Sequence, residues 1–117
     1  MSLKATSRES LAWLSMKQYK VEVSDRARTM LGAHAKFLAQ NSTIAAREMK
    51  EKILVAIRSL SNMPQRCPFF DSDFVPRNKY HKMIVDNRYL VLYQIKDLTV
   101  LVDYIIDGRQ DYSWLVR

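Results

Sequence analysis

The chain has 117 residues, 48% hydrophobic and 26% charged, which suits one folded domain with a single core and argues against a disordered chain. It carries a formal charge of +7 and one cysteine, Cys67, which excludes an internal disulfide. The longest apolar runs, such as Tyr89–Ile95, are far too short to span a bilayer, and the first residues lack the continuous apolar stretch of a secretory leader.

The charge is unevenly placed. Residues 1–85 hold 15 basic and 7 acidic side chains, a balance of +8, whereas residues 86–117 hold 4 and 5, a balance of −1. A basic surface of this kind suits an acidic partner, either nucleic acid or an acidic protein segment, and it equally serves to solubilise a small domain. No Cys/His cluster has metal-ligand spacing, so neither a metal nor a cofactor is expected, and the cytoplasm is the default compartment.

In chain order, residues 1–15 read as an appended segment. Ser7 could cap a short helix bearing Leu11, Trp13 and Leu14, or the stretch could be a loose arm. Met16 reads as an alternative start, which leaves residues 16–117 as the domain. "YKVEV" (Tyr19–Val23) alternates apolar and polar residues and predicts a strand. Ser24 or Asp25 then caps a helix to about residue 39, with Ala27, Met30, Leu31, His34, Phe37 and Leu38 forming one apolar stripe. "QNST" resets the chain for a second helix from about 44 to 60, with Met49, Ile53, Ala56, Ile57 and Leu60 on one face.

Pro64 and Pro68 oppose any continuation of that helix. Beyond them lie three predicted strands, 79–85, 89–95 and 98–106, turning at "DN" and "KD". Short turns make these an antiparallel meander. The predicted fold is α+β, in the order β-α-α-β-β-β, with the helical hairpin packed on one face of a mainly antiparallel twisted sheet. Alternation places Tyr89, Val91, Tyr93, Ile95, Val100, Val102, Tyr104 and Ile106 toward the helices. Leu90, Leu92, Leu101, Asp103, Ile105 and Asp107 then fall on the opposite, open face.

This order, with "YKVEVS", a helical hairpin ending "IRSLSNMP", "YLVLYQI" and a Val/Ile-rich strand closing in "GRQDY", resembles the RelE/ParE superfamily of toxins from type II toxin–antitoxin modules. The resemblance covers about residues 17–115. It implies a small basic toxin involved in plasmid stabilisation and held inactive by a cognate antitoxin with a flexible acidic segment. ParE-like members of the family inhibit DNA gyrase, and RelE-like members cleave messenger RNA on the ribosome without a metal. The ribonuclease branch places a cation in the strand matching "YLVLYQI", another at the end of the last strand, and a general acid or base near the C-terminus. Arg109 matches the second of these. Tyr112 lies near the third with different spacing, and the first falls at Leu90.

Arg109, His81 and Tyr112 are therefore the candidate site residues. Arg109 could meet phosphate or a target protein, or it could simply pair with Asp107 or Asp111. His81 shares a strand face with Lys79 and is a candidate acid or base, or else surface polarity. Tyr112 is a candidate acid or base, or it packs with Trp114 and Leu115. His34 reads as a packed helix residue, Cys67 as inert, and Phe69 and Phe70 as loop packing. Leu90, together with Asp103 and Asp107 on the face assigned to Arg109, favours a ParE-like interaction over RNA cleavage. The alternatives are a ribonuclease and a toxin fold that has lost toxicity. The oligomeric state stays open, a homo-oligomer included.

Overall fold

The computed structural model describes residues 18–73 and 75–109, so the segment 1–15, Met16 and Tyr112 lie outside the described residues. Strand β1 (Lys20–Val23) leads into helices α1 (Asp25–Ala39) and α2 (Thr43–Arg58), joined by a short turn, and a long connection containing two 3-10 turns follows α2. Strands β2 (His81–Val85), β3 (Tyr89–Lys96) and β4 (Thr99–Asp107) complete the chain order. They form one sheet in the order β1-β4-β3-β2, with β1 parallel to β4 and the other pairs antiparallel. The α+β, β-α-α-β-β-β architecture is as expected.

Local chemistry explains the boundaries. Ser24 and Ser42 cap the two helices, their hydroxyls accepting from the amides of Ala27 and Ala45 at 3.0 Å. The "DN" turn works because Asp86 and Asn87 both adopt left-handed backbone, at φ 58° and 53°, which closes a tight hairpin. Asp97 does the same for the β3–β4 turn at φ 55°. The helices bury Ala27, Leu31, Met49, Ile53 and Ile57 against Met83, Val85, Tyr89, Val91, Tyr93, Val100 and Val102 of the sheet. Phe37 departs from its predicted stripe. It sits near the end of α1 and is 59% exposed.

The larger departure lies in β4. Tyr93 pairs with Val102 but Leu92 pairs with Tyr104, so Asp103 is an extra residue, a β-bulge. A one-residue slip turns every later side chain over. Val100 and Val102 face the helices as expected, but beyond the bulge it is Ile105 that joins their cluster. Tyr104 and Ile106 pack instead on the opposite face with Leu92, Phe70 and Tyr80. The expectation that Tyr104 and Ile106 face the helices is thus corrected. So is the placing of Ile105 and Asp107 on the open face, because Asp107 pairs across from Tyr89, which belongs to the helix-side cluster. That second face is only partly open, because Phe70 and Tyr80 from the loop before β2 cover its middle.

Three core tyrosines separate packing from hydrogen bonding. Tyr93 donates to the Pro64 carbonyl at 2.6 Å and Tyr80 to the Asp103 carboxylate at 2.8 Å, whereas the buried Tyr89 hydroxyl has no partner among the described residues. Tyr93→Phe and Tyr80→Phe should therefore each lose about 1 kcal/mol or more of stability, while Tyr89→Phe should be neutral or stabilising. Thermal denaturation of the three variants checks this. An equal loss at Tyr89 would mean that its hydroxyl is bonded.

Candidate functional site

The predicted break at "DGR" forms a clamp at the rim of the sheet. Asp107, whose side chain is 8% exposed, accepts from Arg88 Nη2 at 2.8 Å and from Arg88 Nε at 3.3 Å. The same carboxylate accepts from the Arg109 amide at 3.1 Å and lies 3.6 Å from Arg109 Nε. Gly108 donates its N–H to the Arg88 carbonyl at 2.7 Å. A Cβ at position 108 would come 2.6 Å from that oxygen, so the close approach of β4's end to the β2–β3 turn requires glycine. Arg109 is thereby held at its backbone, while its side chain stays 66% exposed.

A second cluster surrounds the bulge. Arg26 Nη2 meets Asp103 Oδ1 at 2.9 Å, Tyr80 donates to Oδ2 at 2.8 Å, and the Arg26 guanidinium lies over the Tyr104 ring at 4.2 Å. Burial pushes both Asp103 and Asp107 toward the neutral form, but hydrogen bonds from Arg26 and Tyr80, and from Arg88 and the Arg109 amide, outweigh it. Both carboxyls end below the usual aspartate range. Burial, reinforced by the bond to Asp103, pushes the Tyr80 phenol well above its ordinary value and keeps it a donor. Each aspartate is therefore matched by arginine, and neither is the free negative charge expected to repel a phosphate.

Of the candidate residues, the two that are described, His81 and Arg109, are not brought together. His81 pairs with Tyr93, whereas Arg109 lies beyond the Tyr89–Asp107 rung, itself four residues and about 13 Å from the Tyr93 rung at strand spacing. The His81 ring stacks on Phe69 at 4.3 Å and on Tyr93 at 5.2 Å, and its Nδ1 bonds the Cys67 carbonyl at 2.8 Å. Packing accounts for this histidine. Tyr112 lies outside the described residues. His34 bonds the Ile105 carbonyl through Nε2 at 2.8 Å, the packed helix role expected of it. Leu90 is half-buried and lines a hollow of about 290 Å³ with Phe70, Lys82, Ile84, Arg88 and Arg109.

Arg88 and Arg26 are the functional-looking residues missed by sequence reading. Arg88 had a signal: it directly follows a tight turn, opposite a strand that ends in aspartate and glycine. No group of three or more His, Cys, Asp or Glu side chains among the described residues could hold a metal, and no described helix is long and apolar enough to cross a membrane.

The residue pattern of the family described as "ParE toxin of type II toxin-antitoxin system, parDE" matches residues 21–112. The chain belongs to the ParE toxin family. Among eleven matching chains of known structure is one titled "Chromosomal ParDE TA system from P. aeruginosa", with a TM-score of 0.64 and 13% identity. The match covers 80% of this chain and 97% of that one, and at such identity it speaks for the fold alone. No curated protein matches. This ParE-family chain is the toxin component of a type II toxin–antitoxin module, and an antitoxin is its partner.

The clamp predicts a pH response in this ParE-family toxin. A carboxyl whose folded pKa is lowered contributes stability that is complete above its unfolded value, near 4, and is lost as pH falls through the folded value. The melting temperature should therefore drop between about pH 5 and pH 2. Asp107→Asn should be less stable at neutral pH and lose less on acidification. Asp107→Ala should cost about 2–4 kcal/mol, because it strands Arg88, whose side chain is only 22% exposed. Melting curves across that pH range test both statements, and a wild-type profile that stays flat would contradict them.

Proposed function

We propose that this toxin acts by binding a protein target, with DNA gyrase the first candidate, rather than by cutting RNA. The observation that carries this reading is Leu90. Where the ribonuclease branch of the wider superfamily places a cation, this chain puts an aliphatic side chain into a hollow with Phe70 and Ile84. Arg88 and Arg109 share one carboxylate, so the rim offers a fixed ion cluster, suited to a contact surface and poorly suited to stabilising a phosphorane. His81 is held between two rings, far from Arg109, and supplies no acid or base there.

In this reading Arg109 is the contact residue, and the antitoxin neutralises the toxin by covering the open part of the second face and the basic surface. The module works in the cytoplasm, where gyrase is.

Purified toxin should inhibit DNA supercoiling by gyrase and leave messenger RNA intact on programmed ribosomes. Arg109→Ala should weaken inhibition by about tenfold or more, as loss of an interface arginine commonly does. His81→Ala should lower thermal stability through lost ring packing and leave inhibition per folded molecule unchanged. Ribosome-dependent cleavage that disappears in both variants would reverse the assignment in favour of a metal-independent ribonuclease.

A further inference from the structure

The hollow beside Leu90 lies where the described chain ends. Strand β2 is the outer strand of the sheet. Phe70 donates to the Tyr80 carbonyl at 2.7 Å and Lys82 to the Pro68 carbonyl at 2.8 Å, so the segment 68–70 covers the start of its outer edge. That cover stops before Ile84, which makes no such bond among the described residues, is 56% exposed and stands across from Leu90. Gly108 and Arg109 themselves line the hollow, together with the apolar side chains of Phe70, Ile84 and Leu90. At about 290 Å³ it falls below the range of about 300–1,000 Å³ typical of small-molecule sites, and it has room for one large side chain.

Its charged side chains are Lys82, Arg88 and Arg109, and no carboxylate joins them among the described residues. Arg88 is matched by Asp107, which leaves Lys82 and the outer part of Arg109 to attract an anion. Residues 110–117, "QDYSWLVR", continue from this rim and bring one aspartate, Asp111, and one large apolar ring system, Trp114. Strand β2 lies two strands from β4, about 10 Å across the sheet, and five extended residues reach about 16 Å, so Trp114 can span from Arg109 to Ile84. A second hollow near the rim, beside α1, is lined by Met30, His34 and Phe37 but also by Asp107. A segment carrying Asp111 meets a like charge there and opposite charges at Leu90.

We infer that the toxin's own residues 110–117 fold back across the end of β3 and set the Trp114 ring on Ile84 and Leu90, with the Asp111 carboxylate toward Lys82. The ring then packs beneath the aliphatic part of Arg109 and holds its guanidinium toward solvent. Trp114 is thus a positioning residue for the rim. That role rests on the proposed reading of Arg109 as the contact residue, whereas the docking of the segment does not.

Tryptophan fluorescence reads the docking directly, since Trp13 and Trp114 are the two tryptophans of the chain. In full-length toxin carrying Trp13→Phe, Trp114 emission should be blue-shifted and at least about threefold less quenched by acrylamide than in the denaturant-unfolded chain. Ile84→Lys, at an exposed position, should shift the emission to the red and restore quenching, and so should Lys82→Glu. Adding Asp111→Lys to Lys82→Glu should recover the shielding. Melting curves verify that the variants fold. Free quenching of Trp114 in the folded toxin would overturn the proposal. So would shielding that survives Ile84→Lys, which would seat the ring elsewhere, in the hollow beside α1 first of all. Trp114→Ala should weaken gyrase inhibition about two- to tenfold, the cost of ordering one freed arginine on binding, and Trp114→Phe should restore most of it. Unchanged inhibition in Trp114→Ala would remove the positioning role. A toxin with a shielded Trp114 that does not inhibit gyrase would refute the choice of target alone, so the two failures are distinguishable.

Discussion

The extra residue at Asp103 sets the geometry of everything beyond the middle of β4. Ser24 bonds to it in two directions: its N–H reaches the Val102 carbonyl at 2.9 Å and its hydroxyl donates to the Asp103 carbonyl at 3.3 Å. The same hydroxyl accepts from the first turn of α1. One serine therefore ends the parallel pairing of β1, starts the helix and holds the bulge. Arg26, two residues further on, ties the Asp103 carboxylate, and Tyr80 closes it from the loop before β2. An ion pair of this kind, with Asp103 largely buried but the Arg26 side chain 51% exposed, is worth little net stability, because desolvation and screening offset most of the attraction. Its effect here is on register, since losing the bulge would send Ile105 and Asp107 to the wrong face.

Past the bulge, Asp107 turns toward the helix side, within reach of Arg88, and the peptide of Gly108 settles on the Arg88 carbonyl. Arg109 leaves this junction with its backbone fixed and its guanidinium in water. The rim is rigid for the same reason that it is polar: one buried carboxylate accepts from two arginines at once. A surface held in this way loses little conformational freedom on binding, which favours contact with a partner.

Most of the fold was legible because two periods run through the chain. Three- and four-residue spacing marked both helices, and two-residue alternation marked the four strands with ends within about two residues. Alternation failed only in β4, where it presumes an unbroken strand. Tyr104, Ile105 and Ile106 are all apolar, so the pattern after Asp103 fits either face, and an aspartate inside an apolar strand was the one visible sign of a break. Phe37 misled for a different reason: it lies at the margin of the helical stripe, where the neighbouring Leu38 packs against the core while Phe37 stays 59% exposed. At the site, the Arg109–Asp107 pairing and the packed His34 could be read from neighbours in sequence. The Arg88 clamp depends on strand register across a tight turn, of which the turn itself and the closing Asp–Gly were the only sign, and the stacking of His81 depends on a long loop that no local pattern encodes.

An unpaired strand edge is a hazard for a small basic protein, since two copies can join along it. The far edge of the sheet is protected where it begins, by the bridge from Gln18 to Asn62 and the bond from Tyr19 to Ser61. The open half of β2 is guarded by charge. Self-pairing there would bring Lys82 and Arg109 of one copy toward the same side chains of another, and like charges at an edge oppose such contacts.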